Sequence, residues 1–296
     1  MKKKCMIIAV CLLFAFLCGC GKKKDPGQQE QTESQTQTQE QENLSDIQQN
    51  MENSHNGSQA AQGQSPDADS LVGGSAGDLT YEIKYEQKAF QAEDDAVIFE
   101  AKLAYPVLIG EEEFHTSVNS FFEMWKDSKL KEYEQDDDAA WRQALEVYRE
   151  SKDAGWMGAW SEEYDVSRVT VQNGFANVLM ESWLYEGGNH GVSDRESYWF
   201  RRTDGCPTTL FHESRMTEDQ WETMLEKKFY DLITSAPEAE YFEDAAEIID
   251  DVDWDEVDAY IGDTGIVFYL PPAQIGPYSS GFAEVIVSYE EVFGNH

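Results

Sequence analysis

The stretch Tyr185-Glu186-Gly187-Gly188-Asn189-His190-Gly191-Val192-Ser193-Asp194 sets three glycines around one histidine. An imidazole can act as acid, base or metal ligand near neutral pH. Glycines beside it permit left-handed backbone and let another chain approach the main-chain polar groups closely. Proton transfer, metal ligation and a backbone shape presented to a partner are therefore the three chemistries to weigh. Metal ligation lacks a pattern, because His55, His115, His190, His212 and His296 form no H-E-x-x-H or other zinc spacing. A site at His190 and His212 would need a carboxylate nearby in space. The acidic run from Asp250 to Asp258 begins like a calcium loop at Asp251, but Glu256 stands where the loop needs glycine and Gly262 where it needs the bidentate acid. It reads as solvated acidic surface.

Other catalytic patterns fare no better. Gly73-Gly74-Ser75-Ala76-Gly77 satisfies the G-x-S-x-G expression of serine hydrolases, which requires a strand before it and a helix after it. Here it reads as the end of a linker and is set aside. Ten of the 58 Asp and Glu residues precede Leu79, so 48 remain beyond it, and abundance does not single out a pair at working distance for glycoside hydrolysis. The expectation is a non-enzyme with no cofactor, no metal and no catalytic residue.

That leaves two loops as candidate ligand-binding sites. Gly187, Gly188, His190 and Gly191 either present backbone to a ligand or shape a tight strand connection that His190 orients by a side-chain hydrogen bond. Pro277-Tyr278 is either packing at the edge of a core or a tyrosine anchor on a proline-stiffened loop.

The elements that must position these loops follow from hydrophobic period. Thr80 to Lys84 and Ala96 to Ile109 read as strands. Phe114, Val118, Phe121, Phe122 and Trp125 fall at helical spacing after the acidic turn Glu111 to Glu113, and Ala139 to Tyr148 continues helical. Val166 to Gln172 and Phe175 to Tyr185 flank Asn173-Gly174, the dipeptide of a type I′ hairpin. Arg195 to Arg202 reads as a strand with Tyr198 and Phe200 on one face and Trp199 on the other. Thr217 and Gln220 form a capping-box pair ahead of the stripe Trp221, Met224, Leu225, Phe229 and Leu232. Gly265 to Leu270 and Ala283 to Tyr289 are two late strands. Hairpins broken by helices, without regular βαβ units, predict α+β with an antiparallel sheet and helices packed on one face.

The N-terminal part predicts where this globule is held. Lys2, Lys3 and Lys4 precede an apolar run, Cys5 to Phe16, shorter than the ~20 residues of a membrane span. Leu17-Cys18-Gly19-Cys20 resembles the bacterial lipobox, which implies a signal peptide over residues 1–19, lipidation of Cys20 and attachment to the outer face of the cell membrane. Gly21 to Asp78, rich in Gln, Glu, Ser and Asn, reads as a disordered tether of 58 residues. As a flexible coil it would span roughly 40 to 45 Å. Three of the five cysteines then leave with the signal and Cys206 remains as a lone loop thiol.

Charge narrows the partner. From Leu79 to His296, 48 acidic residues face 16 Lys and Arg, a net charge of −32. Nucleic acid is excluded, since phosphate binding needs clustered Lys and Arg. Anionic wall polymers would be repelled. A basic protein would be steered in, unless the charge serves solubility alone.

Ala104-Tyr105-Pro106-Val107-Leu108, Tyr185 to Gly191, and Gly265-Ile266-Val267-Phe268-Tyr269 leading into Ile275-Gly276-Pro277-Tyr278-Ser279-Ser280-Gly281 occur in that order. Together they resemble the extracytoplasmic domain shared by RsiV-like anti-sigma factors and PdaC-like peptidoglycan deacetylases, over about Leu79 to Phe293. The resemblance implies a PdaC-like region over 79–160, an RsiV-like region over 161–296, and a non-catalytic binding module. In the anti-sigma factors the domain is a lysozyme receptor; in the deacetylases it precedes a separate catalytic domain. Met1 to Lys4 is too short to hold a sigma factor, and no room for a deacetylase domain follows. One departure is Ala273, where the family usually carries an aromatic. The reading is a surface lipoprotein of a Gram-positive bacterium that binds lysozyme as decoy or inhibitor. The alternatives are peptidoglycan or another wall glycan as ligand and, further off, a wall hydrolase or deacetylase.

Overall fold

The computed structural model describes residues 72–136, 139–153, 155–156, 158–237 and 240–294. The expected signal peptide, Cys20 and the tether as far as residue 71 lie outside the described residues. Strands β1 (Val72–Ala76), β2 (Leu79–Gln91) and β3 (Val97–Leu108) form an antiparallel meander. Helices α1 (Glu113–Gln135) and α2 (Ala140–Ser151) carry the chain to β4 (Trp160–Gln172), which pairs with β3 in parallel. Then β5 (Phe175–Tyr185), β6 (Val192–Arg201) and the two-residue β7 (Pro207–Thr208) complete a seven-stranded sheet in sequence order. Helices α3 (Leu210–Ser214), α4 (Glu218–Ser235) and α5 (Ala245–Asp250) lead to a second sheet of β8 (Ala259–Ile261), β9 (Ile266–Leu270) and β10 (Ala283–Val287), ordered β10-β9-β8. A short 3-10 turn, Tyr278–Ser280, lies between β9 and β10, and α6 (Tyr289–Phe293) follows.

The fold is α+β and mostly antiparallel, as expected, with three differences. The β3–β4 junction is parallel because two helices intervene, long enough for a crossover that a hairpin cannot make. The ordered chain starts before Leu79: Val72–Ala76, assigned above to the tether, pairs with β2 from Val72↔Ile83 to Ala76↔Leu79. The G-x-S-x-G match thus sits on a strand that turns into another strand rather than into a helix. Helices do not supply all the cover either. Helix α1 buries Phe114, Val118, Phe122 and Trp125 against Phe99, Leu103, Val178, Met180 and Phe200 on one face of the large sheet. On the other face, Trp199 joins a second core with Trp221, Leu225 and Phe229 of α4 and Phe268 of β9. Trp160 opens β4 inside the large sheet, and the two cores lie on opposite faces of that sheet.

Several local expectations hold. Asn173 and Gly174 take φ of 51° and 82°, the two positive values a type I′ turn needs. Thr217 and Gln220 make both bonds of the capping box at α4. Tyr198 and Phe200 face the first core and Trp199 the second. The last strand stops at Val287, because Ser288 caps α6 through a capping box with Glu291. Cys206, read as a lone loop thiol, is buried and disulfide-bonded. No helix among the described residues is long and apolar enough to cross a membrane.

The joint between the two sheets is polar and saturated. Strand β8 is an edge strand, so its outward main-chain groups need partners. Side chains of β5 and β6 supply them: the Ile261 amide donates to Asn177 Oδ1 at 3.1 Å, while Ser197 Oγ and Trp199 Nε1 donate to the Ala259 carbonyl at 2.6 and 2.8 Å. Asn177 Nδ2 reaches Ser197 Oγ and the Tyr198 carbonyl, which leaves this fully buried amide well satisfied. This joint covers only the first half of β5.

Candidate functional site

Past Met180 the second face of β5 emerges from beneath the small sheet. Successive residues of a strand alternate faces, so Glu181 and Trp183 continue the face of Asn177, opposite Arg195 and Ser193 of β6. After Tyr185 the chain turns through Gly187 and Gly188, both at positive φ (82° and 96°), and returns at Gly191. The Tyr185 hydroxyl donates to the Gly188 carbonyl at 3.1 Å. At Gly191 a Cβ would stand 2.5 Å from the Leu184 carbonyl oxygen and 2.6 Å from the Trp183 ring, so only glycine lets the returning strand lie this close.

The second loop closes on the first. Pro277 enters the 3-10 turn with φ −61° and ψ 150°, and sends the Tyr278 side chain across to β6. Its hydroxyl accepts from the Ser193 amide at 2.9 Å, lies 3.1 Å from Ser193 Oγ, and donates to the Gly191 carbonyl at 3.2 Å. The exposed His190 ring stacks on the Tyr278 ring, with centroids 5.6 Å apart and planes at 19°. His190 Nδ1 is 3.2 Å from the Gly191 carbonyl oxygen. The two motifs, far apart in sequence, thus form one surface containing Gly187, Gly188, His190, Gly191, Pro277 and Tyr278. Much of it shapes the connection: Gly191 and the Tyr278 hydroxyl are committed to internal contacts. The outer side of the His190 imidazole is not. Among the described residues no group of three or more His, Cys, Asp or Glu is arranged to hold a metal ion. Ala273, expected above to depart from the resembled pattern, is exposed and takes a positive φ of 67°.

Beside this surface lies a cleft of about 470 Å³ walled by Glu163, Asp165, Glu181, Trp183, Arg195 and Phe282. Arg195 is held there by Glu181 at 2.9 Å and Glu284 at 2.5 Å, with its guanidinium 4.1 Å from the centre of the Phe282 ring. Burial works against the Arg195 charge, but the two carboxylates outweigh it and raise its pKa. Asp258, which pairs with Tyr269, keeps much of its surface exposed while burial pushes its carboxyl up to about 7, opposed by the Tyr269 hydroxyl at 3.3 Å and reinforced by the charges of Glu196 and Asp194.

The sequence reading missed this cleft. Its signal is the alternation Glu163/Asp165 and Glu181/Trp183, which places each pair on one strand face. Counting register back from the Asn173-Gly174 turn misplaces it, because a bulge between Val166 and Arg168 shifts the pairing to Asp165↔Glu181 and Glu163↔Trp183. One extra residue moves a whole side-chain set to the other face.

Comparison with known proteins gives fold but little chemistry. Residues 208–290 match the model of a family described as a protein of unknown function, DUF3298. The chain is similar to the crystal structure of a DUF3298 family member from Bacteroides fragilis, with 18% identity, a TM-score of 0.50, and coverage of 73% of this chain and 92% of that one. A DUF3298 family protein from Pseudomonas aeruginosa aligns with 16% identity and a TM-score of 0.44, over 73% of this chain and 93% of that one. No curated protein matches the chain.

Proposed function

We propose that this chain is a surface lipoprotein, anchored through Cys20 on the extracytoplasmic face of the membrane, whose domain binds a basic protein. Lysozyme of the animal type, captured as decoy or inhibitor, is the leading ligand, and the domain performs no catalysis itself. The observation that carries the reading is the Tyr278 hydroxyl bridging Gly191 and Ser193, which unites the two loops of the RsiV-like resemblance into one surface with His190 exposed on it. The net charge of −32 from Leu79 onward supports it, since an acidic surface raises the encounter rate with a basic protein and suppresses anionic ligands. A neutral wall glycan is the rival, favoured by the Trp183 ring, 41% exposed beside the loops.

The test is a titration of the full chain with an animal lysozyme at low and moderate salt, following heat and residual lysozyme activity. Saturable one-to-one binding that weakens with salt, and weakens again on Tyr278→Ala, is expected. Absence of heat at low salt with lysozyme fully active contradicts the proposal and turns attention to the glycan.

A further inference from the structure

We infer that the cleft of Glu163, Asp165 and Trp183 is a subsite for an arginine side chain presented by the bound basic protein. This deepens the reading above and rests on it for the source of the arginine. The molecule already contains one example of the recognition. Arg195 lies in the same cleft between two carboxylates, Glu181 and Glu284, with its guanidinium 4.1 Å from the Phe282 ring centre. The neighbouring row repeats the carboxylates and the aromatic ring, with Lys102 Nζ 3.8 Å from Glu163 but no guanidinium between the carboxylates. Glu163 pairs across strands with Trp183, and Asp165 lies two residues along β4 on the same face.

The groups in this second row are exposed or only loosely engaged. Trp183 leaves 41% of its surface exposed. Asp165 is exposed, and among the described residues its carboxylate makes no hydrogen bond or ion pair. Glu163 forms a loose ion pair with Lys102, whose Nζ stands 3.8 Å away, beyond hydrogen-bonding distance. Carboxylates beside an accessible indole select a cation that can both stack and donate in a plane. Guanidinium does this, whereas an ammonium is a strongly hydrated point charge with no flat face. The cleft also opens next to Ser193, which Tyr278 holds, so a protein docked on the two loops can reach it with one side chain.

The experiment follows the Trp183 indole signal of the full chain by NMR, assigned with Trp183→Phe, during titration with N-acetyl-arginine methylamide. The citrulline analogue, equal in shape but uncharged, is the control. The inference expects a saturable shift that weakens with salt, is absent with citrulline, and is reduced about fivefold or more by the isosteric pair Glu163→Gln and Asp165→Asn. An unmoved indole, an equal response to citrulline, or an unchanged response in the double variant overturns it. Lysozyme, titrated alongside, separates the two claims. If the arginine compound shifts Trp183 but lysozyme does not bind, the subsite stands and the basic-protein reading falls. If lysozyme binds both wild type and double variant equally while the arginine compound leaves Trp183 unmoved, the subsite falls and the reading stands.

Discussion

Asn177 and Trp183 lie on the same face of β5 and meet opposite surroundings. Asn177 is fully buried against β8, with its amide engaged by Ser197, Tyr198 and Ile261. Trp183 stands where that cover has ended, on the wall of a cleft whose carboxylates are only partly matched. The strand's burial changes along its length accordingly: Ala176 to Met180 are all buried, while Glu181 to Tyr185 are not. A strand covered on both faces is committed to stability. The same strand covered on one face has side chains left over for a partner, held on a rigid base. Placing the site on the continuation of a saturated joint gives it that base without a loop having to supply rigidity.

Substitutions can break or sharpen this contrast. The largest effect belongs to the covered half: Trp199→Ala empties a buried indole site and removes its bond to the Ala259 carbonyl, lowering unfolding free energy by about 3–5 kcal/mol in a denaturant titration. Asn177→Ala follows at about 2–3 kcal/mol, since the Ile261 amide is left buried without an acceptor. In the open half, Gly191→Ala must displace the Leu184 carbonyl or the Trp183 ring, at roughly 1–2 kcal/mol, and the same variant weakens ligand binding because Tyr278 loses its register. Tyr278→Phe keeps the ring against His190 but deletes the hydroxyl, for about 0.5–1.5 kcal/mol of stability by thermal or denaturant unfolding.

The smallest effect is a slope with pH. The Asp258 carboxyl titrates near 7 in the folded chain against an ordinary 3.8, so between those values the folded state holds a proton that the unfolded state has released. Stability on this account falls as pH rises from about 4 to about 7 and levels off above. Urea midpoints measured across that range should show the fall in wild type and a flatter profile in Asp258→Asn; an unchanged slope removes Asp258 as its source.

Much of the covered half was legible in sequence, because it is written in local rules. The Asn173-Gly174 turn, the Thr217/Gln220 box and the opposite faces of Tyr198 and Trp199 each depend on residues within a few positions of one another. Both candidate loops were also legible as motifs, although nothing local shows that Tyr278 reaches Ser193. What escaped depends on long-range geometry. Strand β1 has the composition of a linker, yet it pairs with β2 over its whole length and the Tyr81 ring lies over Gly74. The three-residue β8 carries too little period to read, and its polar edge is satisfied by side chains that its own sequence does not contain. The bulge at Val166/Arg168 decides which carboxylates face Trp183, and a bulge leaves no compositional mark.

The most direct test of the central claim, that the open half of β5 and β6 with the Tyr278 loop is the binding face, is amide hydrogen exchange on the full chain with and without saturating lysozyme. Slowed exchange concentrated in residues 181–195 and 275–284, with α1 unchanged, is the predicted result. Protection confined to other elements, or none at saturation, would contradict it.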